Sequence, residues 1–248
     1  FAEQKALFEQ PTRISPWRDK YKRLKENKVD FGFFLRFNKK LQNMSPDEFI
    51  DKILSKLNIK YLMVGDDFKF GKERSGDFDF LSDWGSNNQI EVDRIPTHNF
   101  EGRRVSSTWI RESIADGNFD LAAKLLDRRY TFSGKVVFGN KVGRTIGVPT
   151  ANIWVPKSNL PIKGVYAVKA LVKGETFNGI ANMGVRPTVG GTSPVLEIHI
   201  FDFNEEIYGC RIEVEFYQKI RDEKKFENLD KLKEQINLDI AETRKYFS

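Results

Sequence analysis

The chain has 248 residues, 40% of them apolar and 31% charged, which suits a soluble globular protein with room for two domains of about 100–150 residues each. Apolar runs fall short of the roughly 18 residues a membrane span needs, and no basic-then-apolar leader opens at Phe1, so neither span nor signal peptide is expected. A single cysteine, Cys210, excludes an internal disulfide and fits a reducing cytoplasm, while His98 and His199 without a Cys/His cluster exclude a structural zinc site. The net charge of +6 is spread along the chain and interleaved with acids (Arg18-Asp19-Lys20, Arg221-Asp222-Glu223-Lys224-Lys225), the pattern of a solvated surface rather than a clustered nucleic-acid footprint.

The first half alternates helix and strand signals. Residues 29–37 are apolar and aromatic enough for a strand. Ser45-Pro46-Asp47-Glu48 has a capping serine, a proline at the first helical position and a glutamate three residues on, a helix start. Phe49, Ile50, Ile53, Leu54 and Leu57 then repeat at spacings of three and four. Residues 59–64 form a short apolar run into Gly65, a buried strand feeding a loop. This rhythm predicts a parallel sheet with crossover helices. Residues 66–80 read as a glycine- and charge-rich loop. Ser107 or Thr108 opens a helix to Ala115, and Asn118 caps another over 119–126.

The character changes near residue 127. Residues 130–138, 164–172, 177–183, 195–203 and 211–218 are all strand-like, separated by turn residues and without intervening helices. This succession predicts a small antiparallel barrel. A closing amphipathic helix carries Leu229, Leu232, Ile236 and Ile240 on one stripe, read as core packing. The expected division is therefore 1–126 and 127–248.

The densest chemistry lies between residues 134 and 152. Gly134, Gly139, Gly143 and Gly147 are interleaved with Lys135, Lys141 and Arg144, and glycines let backbone N–H groups approach phosphate oxygens. It is not a P-loop, because no Gly-Lys-Ser/Thr opens a helix after a strand, and hairpin turns use glycine too. Pro149-Thr150-Ala151-Asn152 adds a hydroxyl and a carboxamide two residues apart, which in extended chain face the same way and can share one Mg²⁺ or phosphate. In 195–203, Leu196, Ile198 and Ile200 alternate onto a core face and leave Glu197, His199 and Phe201 opposite. Glu197 suits a general base for an alcohol attacking a phosphate, although strand periodicity alone favours an ordinary solvent-facing glutamate. His199 reads as a surface or hydrogen-bonding residue.

GRTIGVPTAN (143–152), NMGVRPTVGG (182–191), LEIHIFDF (196–203) and KIRDEKKF (219–226) together resemble the riboflavin kinase domain, in order and separation, over almost all of residues 127–248. The resemblance implies a six-stranded Greek-key barrel with ATP under the glycine-rich segment, touching Gly134, Lys135, Gly139, Lys141, Gly143, Arg144, Gly147 and Pro149. It further implies Mg²⁺ held by Thr150 and Asn152, and Glu197 activating the ribityl 5′-hydroxyl of riboflavin. Arg221 and Phe226 match the segment that closes over the flavin.

VGDDFKFGKERSGD (64–77) and RVSSTWIR (104–111) resemble the Rossmann-like nucleotidyltransferase half of bacterial bifunctional riboflavin kinase/FAD synthetases. That implies an ATP/FMN site containing Asp67, Phe68, Gly71, Ser106, Ser107, Thr108 and Arg111. Hydroxyls and free N–H groups at a helix N-terminus suit a phosphate, although Ser-Ser-Thr by itself is an ordinary cap. These enzymes carry a His-x-Gly-His loop near their start, which neither His98 nor His199 supplies. The sequence in hand is expected to make FMN but not FAD efficiently, and its full-length parent to make both. The expected small-molecule partners are riboflavin, FMN and ATP, in a cytoplasmic monomer or weak homo-oligomer that engages neither nucleic acid nor membrane. Two rivals are a flavin- or nucleotide-binding regulator without chemistry, and a basic RNA-binding barrel.

Overall fold

A computed structural model describes residues 12–139, 143, 146–155, 160–188 and 191–248. The chain divides into two compact units, Val29–Val105 and a larger one that joins Ser106–Ser248 to the residues up to Lys28. Helix α1 (Trp17–Glu26) belongs to the larger unit.

The smaller unit contains α2 (Lys39–Gln42), α3 (Pro46–Lys52), β1 (Tyr61–Gly65), α4 (Phe78–Asn87), β2 (Glu91–Ile95) and the two-residue strands β3 (Asn99–Phe100) and β4 (Arg103–Arg104). Ser45 and Glu48 form the expected reciprocal capping box on α3. Strands β1 and β2 pair in parallel, Leu62 opposite Val92, with α4 as the crossover. Ile50, Val64, Phe70 and Leu81 make the buried centre of this unit. The strand expected over 29–37 is absent. Its residues find no ladder partner among the described strands, and Phe31 and Phe33 stand 83% and 70% exposed. A strand is defined by its neighbour, and apolar composition does not provide one.

The larger unit continues with α5 (Ser107–Ala115), α6 (Phe119–Leu126), β5 (Thr131–Val137), β6 (Ala151–Trp154), β7 (Gly164–Val172), β8 (Glu175–Thr188), β9 (Gly191–Ile200), β10 (Arg211–Arg221) and α7 (Leu229–Phe247). The six strands close an antiparallel barrel in the order β10-β5-β6-β9-β8-β7. Hairpins join β7, β8 and β9, and β10 returns beside β7, which is the Greek-key arrangement. Phe132, Val136, Ile153, Val168, Leu196, Ile198, Ile212 and Val214 fill the interior.

The change to strand character near 127 does not mark where packing changes. Phe119 of α6 is buried among Tyr130, Tyr166 and Phe216 at ring separations of 5.6–6.2 Å, so residues 106–126 pack as part of the barrel unit. Helix α1 covers the start of β5, which pairs β10 along Thr131–Lys135 but meets β6 only at Val136 and Val137. There the buried Asp19 carboxylate accepts the Ser133 N–H at 3.0 Å and the Ser133 hydroxyl, a polar substitute for the missing ladder partner.

Burial raises the Tyr166 phenol to about 12, and burial likewise raises Tyr217 to about 12. Neutral phenols are favoured in the folded barrel, so their contribution is intact below the ordinary value of 10 and is lost as pH rises through about 12. Urea midpoints measured across this range, followed with phenolate absorbance, are expected to stay level to pH 10 and then fall.

Candidate active site

The barrel register assembles the site. Asn152 on β6 lies directly opposite Glu197 on β9, Glu197 opposite Asn182 on β8, Asn182 opposite Val165 on β7, and Val165 opposite Arg221 on β10. Directly opposed residues share a face of the sheet with Cβ atoms about 4.5–5.5 Å apart. Five strands thus contribute one transverse rung on the outer face, while the intervening Leu196 and Ile198 point inward and are fully buried. Register shifts in β10 between Phe216 and Gln218 and between Lys219 and Arg221 bring Arg221 onto this rung.

Glycines allow the neighbouring backbone to close on it. A Cβ on Gly139 would lie 2.3 Å from Asn152 Nδ2 and 2.6 Å from its Oδ1, so this backbone rests on the carboxamide. A Cβ on Gly143 would lie 2.2 Å from the Val148 carbonyl and 3.2 Å from Thr150 Oγ1, and the Val148 N–H donates to the Gly143 carbonyl at 2.8 Å. Gly147 takes φ +80°, where glycine is unstrained. His199, two residues beyond Glu197 on the same strand face, places Nδ1 2.8 Å from the Pro149 carbonyl. A carbonyl only accepts, so Nδ1 carries the proton, and the strand bearing Glu197 also fixes the backbone that precedes Thr150.

Thr150, Glu197, His199 and Asn182 line a cavity of about 380 Å³. Its apolar wall comes from Val165, Ile180, Phe226 and, on α7, Leu232 and Ile236. The stripe read as core packing is therefore divided: Leu232 and Ile236 face the cavity, Ile240 packs on Val165, Ile180 and Phe201, and Leu229 is exposed. A smaller recess of about 80 Å³ shares Thr150 and adds Pro149, Phe203 and Tyr208. Asn152 is 5% exposed, and its Oδ1 is buried with no hydrogen-bond partner among the described residues. Asn152 itself does not line the cavity, but its orphaned amide oxygen, two residues beyond the Thr150 hydroxyl in sequence, is the kind of ligand a hard cation such as Mg²⁺ takes.

The other expected residues are distributed differently. Gly134 packs inside the barrel, where a Cβ would overlap Ile153, and Lys135 extends outward from β5; neither lines the cavity. Alternation turns Gly134 into the interior, whereas Lys135 shares the outer face of the rung but stands on β5 beyond the residues that line the cavity. Lys141 and Arg144 lie outside the described residues. Arg221 and Phe226 both line the cavity, 5.6 Å apart from guanidinium carbon to ring centre. The residues expected for nucleotidyl transfer fall in separate units. In the smaller unit Asp67 pairs with Arg104 at 2.9 Å, Phe68 stacks on Phe70, and Gly71 (φ +74°) packs against the Pro46 ring. In the larger unit Ser106 caps α5 through the Trp109 N–H, Ser107 and Thr108 are exposed on its first turn, and Arg111 donates to Thr108 Oγ1 at 3.5 Å. Asn182, Glu223 and Asp239 are not individually predicted from the sequence, although Asn182 lies in the NMGVRPTVGG motif and Glu223 in KIRDEKKF; Asp239 carries no such signal.

A closed Greek-key barrel with the Thr150 hydroxyl, the Asn182 amide and the Glu197 carboxylate lining one apolar-walled cavity fits a barrel enzyme acting on a small molecule. Comparison with known proteins is more specific. The riboflavin kinase model matches residues 126–247 and the FAD synthetase model residues 3–109. The bifunctional riboflavin kinase/FMN adenylyltransferase of Haemophilus influenzae is 44% identical over 96% of this chain and 78% of its own length. That of Escherichia coli K12 is 41% identical over 100% and 78%. A crystal structure of a macrolide-efflux protein from Streptococcus pneumoniae aligns with a TM-score of 0.80 at 31% identity, covering 96% of this chain and 80% of that one. The chain belongs to the bifunctional riboflavin kinase/FMN adenylyltransferase family. No described helix is long and apolar enough to cross a membrane.

Gly139→Ala inserts a methyl where the Asn152 carboxamide lies. Calorimetry is expected to show Mg-ATP affinity falling about tenfold, equivalent to about 1.4 kcal/mol, with riboflavin binding retained.

Proposed function

We propose that the barrel unit transfers the γ-phosphoryl group of ATP to the ribityl 5′-hydroxyl of riboflavin, giving FMN, with Glu197 as general base and Thr150 and Asn152 as the metal-side ligands. The observation that carries this reading is that Thr150 and Glu197 line one cavity, with Asn152 paired directly opposite Glu197 on the adjacent strand. Its volume of about 380 Å³ lies in the range of small-molecule sites, about 300–1,000 Å³. Val165, Ile180, Phe226, Leu232 and Ile236 offer apolar walls to a flat aromatic ring system. Mg²⁺ held by Thr150 and Asn152 would neutralise phosphate charge. Gly139, Gly143 and Gly147, without side chains, would let phosphate oxygens come close to their backbone N–H groups. Glu197 accepts the hydroxyl proton as the oxygen attacks the γ-phosphorus and ADP leaves.

The second activity, adenylylation of FMN to FAD, is assigned to the N-terminal half. In the larger unit, Ser106, Ser107 and Thr108 at the N-terminus of α5 suit a phosphate, with Arg111 one turn on; Asp67, Phe68 and Gly71 of the smaller unit are assigned to the same activity by the family resemblance. The enzyme acts on small molecules as a cytoplasmic monomer or weak homo-oligomer and engages neither nucleic acid nor membrane.

Incubation with riboflavin, ATP and Mg²⁺, followed by chromatographic separation of riboflavin, FMN and FAD, tests both assignments. Glu197→Gln is expected to bind ATP normally and slow FMN formation by roughly 10²–10⁴; undiminished FMN production would remove Glu197 from the reaction. Thr150→Ala is expected to lose Mg-ATP affinity in a calorimetric titration.

A further inference from the structure

Resting on the kinase reading, we propose that Asp239 of α7 is a positioning residue: it fixes Arg221, and through it the segment 221–226, as the wall that sets riboflavin affinity. Asp239 is 3% exposed, yet it borders the cavity. Its carboxylate accepts Arg221 Nε at 2.9 and 3.1 Å, Arg221 Nη2 at 2.8 Å and Gln235 Nε2 at 2.9 Å. Arg221 Nη1 donates at 2.9 Å to the carbonyl of Asp222, the next residue of that segment.

These bonds occupy Nε and one hydrogen on each terminal nitrogen, so most of the guanidinium fork is engaged by protein before any ligand arrives. Arg221 thereby acts as a strut more than as a flavin ligand. The segment it holds is braced at further points. A Cβ on Gly164 (φ +121°) would lie 2.5 Å from the Arg221 carbonyl, so β7 and β10 meet without a side chain between them. The Glu223 carboxylate lies over Gly184, where a Cβ would be 2.2 Å from its Oε1, and pairs with Lys163 at 3.6 Å. Phe226 then closes the cavity opposite Leu232 and Ile236 of the helix that bears Asp239.

A buried ion pair is weak evidence of net stability, because apolar residues of the same volume commonly serve as well. A bidentate pair does fix orientation, and here it joins the two elements between which a flat ring would lie. Removing the charge from Asp239 is expected to loosen that spacing while leaving Thr150, Asn152 and Glu197, on other strands, undisturbed.

The test compares the unsubstituted chain with Asp239→Asn, Arg221→Lys and the double variant. Riboflavin binding is read from quenching of flavin fluorescence, Mg-ATP binding from calorimetry, and FMN formation from chromatography. Asp239→Asn is expected to weaken riboflavin binding about tenfold or more, with Mg-ATP affinity held within about twofold and KM for riboflavin changing more than kcat. Arg221→Lys should show the same split, and the double variant should be little worse than either single one, because one pair has been broken. Unchanged riboflavin affinity in folded Asp239→Asn, or equal losses for riboflavin and ATP, overturns the inference. Should Asp239→Asn not fold, Arg221→Lys, which keeps a cation opposite the carboxylate, decides by the same criteria. If the unsubstituted chain itself binds no riboflavin, the functional reading fails together with the inference; normal binding there and in the variants defeats the inference alone.

Discussion

Everything proposed for the barrel depends on the antiparallel register between β6 and β9. Opposed residues on adjacent strands share a face, and a slip by one would send the Asn152 amide or the Glu197 carboxylate to the wrong side. The interior holds that register in place. Ala151 and Ile153 are paired with Ile198 and Leu196, and the buried aliphatic members of those pairs could not be turned outward without exposing the core. Apolar burial thus determines where these two polar groups stand.

The cost of that arrangement is visible at Asn152. An amide oxygen buried without a partner is unfavourable by about 1–3 kcal/mol, and native structures keep such groups where a ligand or a strained site needs them. Gly139 makes the burial possible by resting backbone where any side chain would collide. His199 bonds the Pro149 carbonyl from the strand that carries Glu197, so the residues proposed for the metal side and for the base are tied together by the protein itself. Such preorganisation matters for phosphoryl transfer, where catalysis consists mostly of positioning and charge stabilisation.

The opposite wall is built on a different principle. Helix α7 turns two residues of its apolar stripe, Leu232 and Ile236, into cavity lining and uses Ile240 alone of the three to seal against the barrel. Asp239 sits between these roles, buried enough to need a partner and close enough to the cavity for that partner to matter. Helical spacing cannot distinguish such uses, since the same stripe faces both the barrel and the gap beside it.

Much was legible in the chain before folding. The capping box at Ser45, the strands around 164–172 and 211–218, the helix over 119–126 and the Thr150-x-Asn152 pair follow from local chemistry: caps, alternation and turn residues act within a few positions. What depended on distant partners was not. Residues 29–37 have the composition of a strand but no neighbour to pair with; Gly134 belongs to a phosphate-like glycine pattern but packs on Ile153; residues 106–126 precede the barrel yet pack with it through Phe119. The sequence by itself determined which residue types were available and the class of barrel they could build. Only the tertiary structure decided that Asn152, Glu197, Asn182 and Arg221 share one rung and that Asp239 completes its far end, because register and closure are set by the whole core rather than by any local stretch.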